Sequence, residues 1–175
     1  MGILTSLFGA ERRTYNSADD FWYQPILSWT PTASGVKVDS QSALRSAAVA
    51  ACVRVLSESV ASLPLHIYQR LDDGGKVRAV DHPLYDLLHN EPNDLMSAYQ
   101  WVETMMVHLT LTGNHYSELS YNGRNRVVSI MPLDPSTVDV RRETETGAVK
   151  YVIKESDGKE RVLPAARVLH KSWML

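Results

Sequence analysis

The chain has 175 residues, enough for one domain alone or with a tail, and its 44% hydrophobic fraction supplies a sizeable core. Lys and Arg number 18 against 20 Asp and Glu, so the net charge of -2 gives no overall pull toward nucleic acid or an anionic membrane. This composition excludes collagen-like, coiled-coil and wholly disordered chains, and no apolar run approaches the roughly 18 residues of a membrane-spanning helix. The single cysteine, Cys52, excludes an internal disulfide and leaves no second thiolate for a zinc site, which suits a reducing compartment.

The first nine residues lack a cationic segment before their short apolar stretch, so no secretory signal is expected. Gly2 and Ser6 fit the myristoylation pattern, but a small apolar arm that docks on a neighbour or frays accounts for the same residues. Residues 1–39 mix Tyr15, Phe21, Trp22, Tyr23 and Trp29 with Pro25, Pro31 and Gly35 and follow neither a helical nor a strand period. They read as an irregular arm whose aromatics pack on this domain or on another subunit. Residues 40–175 read as the domain proper.

Residues 40–63 contain no Gly or Pro, and Leu44, Ala47, Ala48, Ala51, Cys52, Val55, Leu56 and Val60 recur at helical spacing before Pro64. One long helix is predicted, with its alanines admitting a close neighbour, Arg54 pairing with Glu58, and Cys52 buried as a small hydrophobe. After Pro64 the period becomes two, and residues 72–75 (DDGG) supply the turn of a β-hairpin that returns through Lys76 to Val80. Asp81 is placed to cap a short helix with Pro83 in its first turn and Leu84, Leu87 and Leu88 on its buried side. Ser97 and Gln100 form a capping-box pattern ahead of Trp101, Val102, Met105, Met106 and Leu109, and Gly113 stops this second long helix.

The last third is β-rich. Strands are predicted over residues 115–121, 127–131, 137–142, 149–155, 161–163 and from 168 onward, in a mostly antiparallel meander with a tight turn at 164–167. The fold class is therefore α+β: two long helices and a short one packed with a mostly antiparallel sheet.

The chemistry of common enzymes is missing from the sequence: there is no Gly-x-Ser-x-Gly elbow, Gly-x4-Gly-Lys phosphate loop, His-Glu-x-x-His or Gly-x-Gly-x-x-Gly. His82 with His89, and His108 with His115, each stand seven apart, a spacing that shares a face only within one continuous helix, and breakers sit at or beside their ends. No catalytic, cofactor or metal site is expected. Gly113-Asn114-His115 is too short a string for a His-Asn-His nuclease, and His115 with Glu118 or His108 with Glu103 is generic. Arg124, Arg126, Arg141 and Arg142 are interleaved with Glu143, Glu145 and Glu155, as on a solvated sheet edge rather than a phosphate-binding patch.

Residues 50–68 (AACVRVLSESVASLPLHIY) resemble the N-terminal signature of tailed-phage portal proteins of the Hong Kong phage type. The resemblance continues in family order through residues 82–93 (HPLYDLLHNEPN), 100–106 (QWVETMM), 111–116 (LTGNHY) and 131–135 (MPLDP), and the start at residues 1–9 is similar as well. It implies a structural ring subunit at one vertex of the phage head, through which double-stranded DNA is packaged and ejected, with ATP hydrolysis left to the terminase. It also implies the wing-side region as the fold. The implied partners are other portal subunits, terminase, and head and tail-connector proteins, in the virion and, during assembly, in the host cytoplasm. Leu44, Ala48, Arg54, Glu58, Trp101, Gly113 and Asn114 are the structural or subunit-interface candidates. The family's stem, clip and tunnel helix are expected beyond residue 175, so the sequence reads as the N-terminal part of such a protein. The alternatives are a truncated prophage remnant or a stand-alone interaction domain.

Overall fold

The computed structural model describes residues 39–144 and 147–173. The aromatic arm before Asp39, the myristoylation pattern and Glu145 lie outside these residues.

Two helices stand where one was expected. Helix α1 (Ser40–Ala43) is closed by a capping box in which the Asp39 carboxylate accepts from the Ser42 amide at 2.6 Å and the Ser42 hydroxyl accepts from the Asp39 amide at 2.7 Å. The chain then tightens into bonds from Arg45 and Ser46 to carbonyls three residues back, and Ser46 takes an extended conformation before α2 (Ala47–Ala61) begins. Serine has a weaker helix preference than the alanines that follow it, which suits the break, although the Ser46 hydroxyl makes no capping bond to α2.

Helix α2 buries Val53, Ser57 and Ala61, one row at a spacing of four, against α4 (Ala98–Thr112). Cys52 is exposed, not buried as expected: one position from Val53 along the chain is about 100° around the helix, which turns it off that row. The hairpin of β1 (Tyr68–Arg70) and β2 (Lys76–Arg78) forms as predicted, with every one of its six strand residues exposed. The short helix α3 (Tyr85–His89) starts later than expected, and Asp81 does not cap it. Two consecutive turns, His82 amide to Ala79 carbonyl and Tyr85 amide to His82 carbonyl, carry the chain past Pro83 first.

Helix α4 is the centre of the domain. The Ser97–Gln100 capping box is present, Trp101, Val102, Met106 and Leu109 are buried, and Gly113 closes the helix at φ 74°. That left-handed conformation is cheap only for glycine, and it sends the chain directly into β3 (Asn114–Tyr121). Strand β3 is the middle of a sheet ordered β4–β3–β8, with β4 (Val127–Leu133) and β8 (Val168–Ser172) both antiparallel to it. A second antiparallel sheet, β5–β6–β7, comprises Val138–Arg142, Val149–Lys154 and Glu160–Pro164. The α+β architecture with antiparallel strands is as read from sequence; the strands divide among a hairpin and two three-stranded sheets.

Strand β4 runs through Pro132, where a turn was expected. Because β4 is an edge strand, the missing amide of Pro132 costs no ladder bond on its open side. The turn comes at Asp134, whose carboxylate accepts from the Ser136 amide at 2.9 Å over a short 3-10 turn. The tight turn expected near residue 165 is the 3-10 segment Ala165–Arg167.

One core cluster joins Ala61, Trp101, Val102, Met106, Leu109 and Ile130 beneath the helices. Another joins Tyr116, Tyr151, Ile153, Leu163 and Val168 between the sheets. Arg161 of β7 grips Glu118 of β3 through two parallel bonds of 2.6 and 2.8 Å, fastening one sheet to the other. We predict that Ser97→Ala, which deletes the α4 cap, lowers stability by about 0.5–2 kcal/mol, seen as a lower urea midpoint at unchanged slope.

Candidate assembly surface

Between its buried row and solvent, α2 carries a second apolar row that nothing in the described residues covers: Val49, Cys52, Leu56 and Val60, continued by Leu63 just past the helix end. Leu63 is 65% exposed and Leu56 49%. The run continues through Leu65 to the hairpin, where Tyr68, Leu71, Val77 and Val80 are also exposed. An uncovered apolar row this long on a folded domain marks a surface built for further contact.

At the N-terminal half of α2 the row borders an open groove of about 590 Å³, walled by Ala48, Val49, Cys52 and Leu56 on one side and by Leu109 and Trp173 on the other. Its far wall exists because Gly113 reverses the chain, laying the end of α4 beside β8; the Trp173 amide donates to the Gly113 carbonyl at 2.9 Å.

The seven candidate residues fall into two groups. Leu44 and Ala48 are exposed on α1 and α2, and Arg54 pairs with Glu58 at 2.7 Å on the exposed flank of α2, as expected. Trp101, Gly113 and Asn114 are internal: Trp101 is in the core, Gly113 is the left-handed stop, and Asn114 is buried on β3. Sequence reading missed Leu63, Trp173 and the hairpin's Tyr68 and Val77 as exposed apolar positions. The available signal was Leu63 standing directly before the helix-stopping Pro64, past the end of the helix.

Two histidines judged too far apart do meet. The Nδ1 atoms of His108 on α4 and His115 on β3 stand 3.1 Å apart, because the turn at Gly113 folds the strand back along the helix. His115 is fully buried; its Nε2 lies 2.8 Å from the Ser117 hydroxyl, which accepts from the Trp101 indole at 3.1 Å. Only one of two facing ring nitrogens can carry a hydrogen, so one ring donates and the other accepts there. Burial, with the nearby His108 and His170, lowers the His115 pKa from 6.5 to about 3, and burial lowers His108 as well. Among the described residues no group of three or more His, Cys, Asp or Glu stands together as metal ligands.

A second polar cluster lies on the other side of β3. His170 Nε2 donates to the Asn114 amide oxygen at 3.0 Å, its Nδ1 faces the Tyr151 hydroxyl at 3.3 Å, and its ring stacks on Tyr116. These networks tie α4, β3, β6 and β8 together without leaving a buried side-chain polar atom unpaired among the described residues. Of the arginine cluster, Arg141 is paired with Asp139 and Glu160, and Arg124 and Arg126 flank the exposed β3–β4 turn.

A small α+β domain with an open apolar helix row and a groove beside it is of the class that works by contact with other protein chains. The profile of the phage portal protein family matches residues 47–174, and the chain belongs to that family. It is 36% identical over 107 residues to protein BeeE of Escherichia coli strain K12, covering 61% of this chain and 67% of BeeE. To the portal protein of Enterobacteria phage HK97 it is 30% identical over 105 residues, covering 59% of this chain and 25% of that one. A chain in the neck of an empty GTA particle, computed with C6 symmetry, shares the fold at a TM-score of 0.65 and 18% identity, over 85% of this chain and 39% of that chain. The chain thus spans about a quarter of the HK97 portal protein it matches.

The buried histidine sets a pH dependence. Its folded pKa lies below its unfolded value of 6.5, so the unfolded chain takes up a proton that the folded one excludes, and stability falls as pH drops from 6.5 toward 3. Denaturant midpoints measured between pH 7 and pH 4 should show His115→Asn with a shallower decline than the parent, by up to about 1.4 kcal/mol per pH unit.

Proposed function

We propose that this chain is the wing-side region of a ring-forming portal subunit, a structural protein of the head vertex through which double-stranded DNA is packaged and ejected. The observation that carries the reading is the family match across residues 47–174 in a domain whose α2 row and hairpin are uncovered. In this reading residues 1–39 form an arm and residues 40–175 the contact domain. The Arg54–Glu58 pair flanks the subunit contact toward the Val60–Leu63 end of α2, Leu44 and Ala48 stand at the opposite end of the row, and Trp101, Gly113 and Asn114 hold the scaffold behind it.

The chain acts by shape and contact and not as an enzyme; terminase docked on the ring supplies ATP hydrolysis. Head and tail-connector proteins are the other partners, in the host cytoplasm during assembly and then in the virion. A near-neutral domain suits a conduit, since many Lys and Arg contacts to phosphate would hold the passing DNA.

A head-to-tail contact whose rotation closes gives a ring, here of about a dozen copies. Residues 1–175 alone should be a monomer or a mixture of small oligomers. The same chain, continued in frame by the part of the HK97 portal protein that lies beyond the matched region, should form uniform closed rings by light scattering and particle imaging. A strictly monomeric extended chain would overturn the portal reading, and a uniform ring from the short chain would move ring closure into the wing-side region.

A further inference from the structure

The groove between α2, the end of α4 and Trp173 has no charged residue in its wall, and at about 590 Å³ it has the size of a small-ligand pocket. A folded domain keeps such an apolar cleft only when something apolar fills it. The chain itself carries a match. Residues 21–29 (FWYQPILSW) hold Phe21, Trp22, Tyr23, Ile26, Leu27 and Trp29, six apolar side chains in nine residues with no charge among them. That segment lies outside the described residues, which begin at Asp39, three residues of turn and one short helix away from the groove wall on α2.

We propose that the aromatic segment 21–29 fills the groove of its own subunit, packing on Val49, Cys52, Leu56, Leu109 and Trp173. Reach favours the chain's own arm. Nine residues separate Trp29 from Asp39, ten Cα steps that span up to about 33–36 Å when extended, whereas the whole of α2 is about 22 Å long. The connecting residues 30–38 (TPTASGVKV) have the Pro, Gly and small residues of a loop. A tether this short holds the segment at an effective concentration in the millimolar range, well above that of a segment from a free second copy.

The groove takes only the N-terminal half of the open α2 row. Val60, Leu63 and the hairpin lie outside its wall and stay available to neighbouring subunits, so filling of the groove and ring formation are separable.

Cys52 is the sole cysteine and stands in the groove wall, which makes it a built-in reporter. In the full 175-residue chain, Gln24→Cys and Ser28→Cys place a thiol within the segment without removing any of its apolar side chains; Thr5→Cys is the control. Mild oxidation at low protein concentration, read by non-reducing electrophoresis and peptide mass mapping, should join Gln24→Cys or Ser28→Cys to Cys52 within one chain at least tenfold faster than Thr5→Cys, at a rate independent of concentration. Rates equal to the control overturn the proposal, and cross-links formed only between chains overturn it in favour of a second copy in the groove. The unmodified chain gives a check that needs no variant: the thiol of Cys52 should react with a disulfide reagent at least tenfold more slowly in the native chain than in denaturant. Equal rates mean an open groove and also overturn the proposal.

Discussion

The chain reversal at Gly113 is the constraint on which the rest of the domain depends. A residue with a side chain would resist φ 74°, and without that turn β3 could not run back along α4. The reversal lays β3 under the helix as the central strand of its sheet, so that Trp101, His108, His115 and Ser117 come within hydrogen-bonding distance of one another. It also sets the end of α4 beside β8, which makes one wall of the groove. A single backbone conformation therefore positions the interior network and one side of the outer surface.

The interior and the outer surface are held by different forces. Inside, apolar packing is supplemented by short polar chains in which each buried side-chain polar group among the described residues has a partner, and burial lowers the pKa of His108, His115 and His170. Outside, the α2 row and the hairpin are apolar and nothing among the described residues covers them. Arg161 joins the sheets as a fork on Glu118, part-buried and two-pronged, whereas the Arg54–Glu58 pair is exposed and contributes little to folding. The most buried part of the domain is thus its α4–β3 centre, and the open apolar row is mounted on it through α2.

Much of this was legible in the sequence wherever local chemistry decided the outcome. Ser97 with Gln100, Gly113, the hairpin turn and the alternating strands each carry their own signal, and these elements formed close to where it placed them, with β4 running two residues further, through Pro132. Helix continuity across Ser46, the exposure of Cys52 and the meeting of His108 with His115 were not legible. The first turns on the tightened backbone turn at Arg45 and Ser46, and the other two on which helix row faces α4 and how the chain folds back after it. A regular apolar spacing shows that a helix has an apolar side; it does not show that the same chain covers that side. The family was legible because its signature strings are long and in order, whereas the division of its strands between two sheets depends on long-range pairing.

In the proposed portal reading, the contact between neighbouring subunits lies at the open end of the α2 row. Leu63→Asp in a ring-competent in-frame chain tests this most directly, because Leu63 is 65% exposed and belongs to neither core cluster. The expected result is an unfolding midpoint that stays put while closed rings disappear from particle images. Rings forming in parental yield from the substituted chain would contradict it.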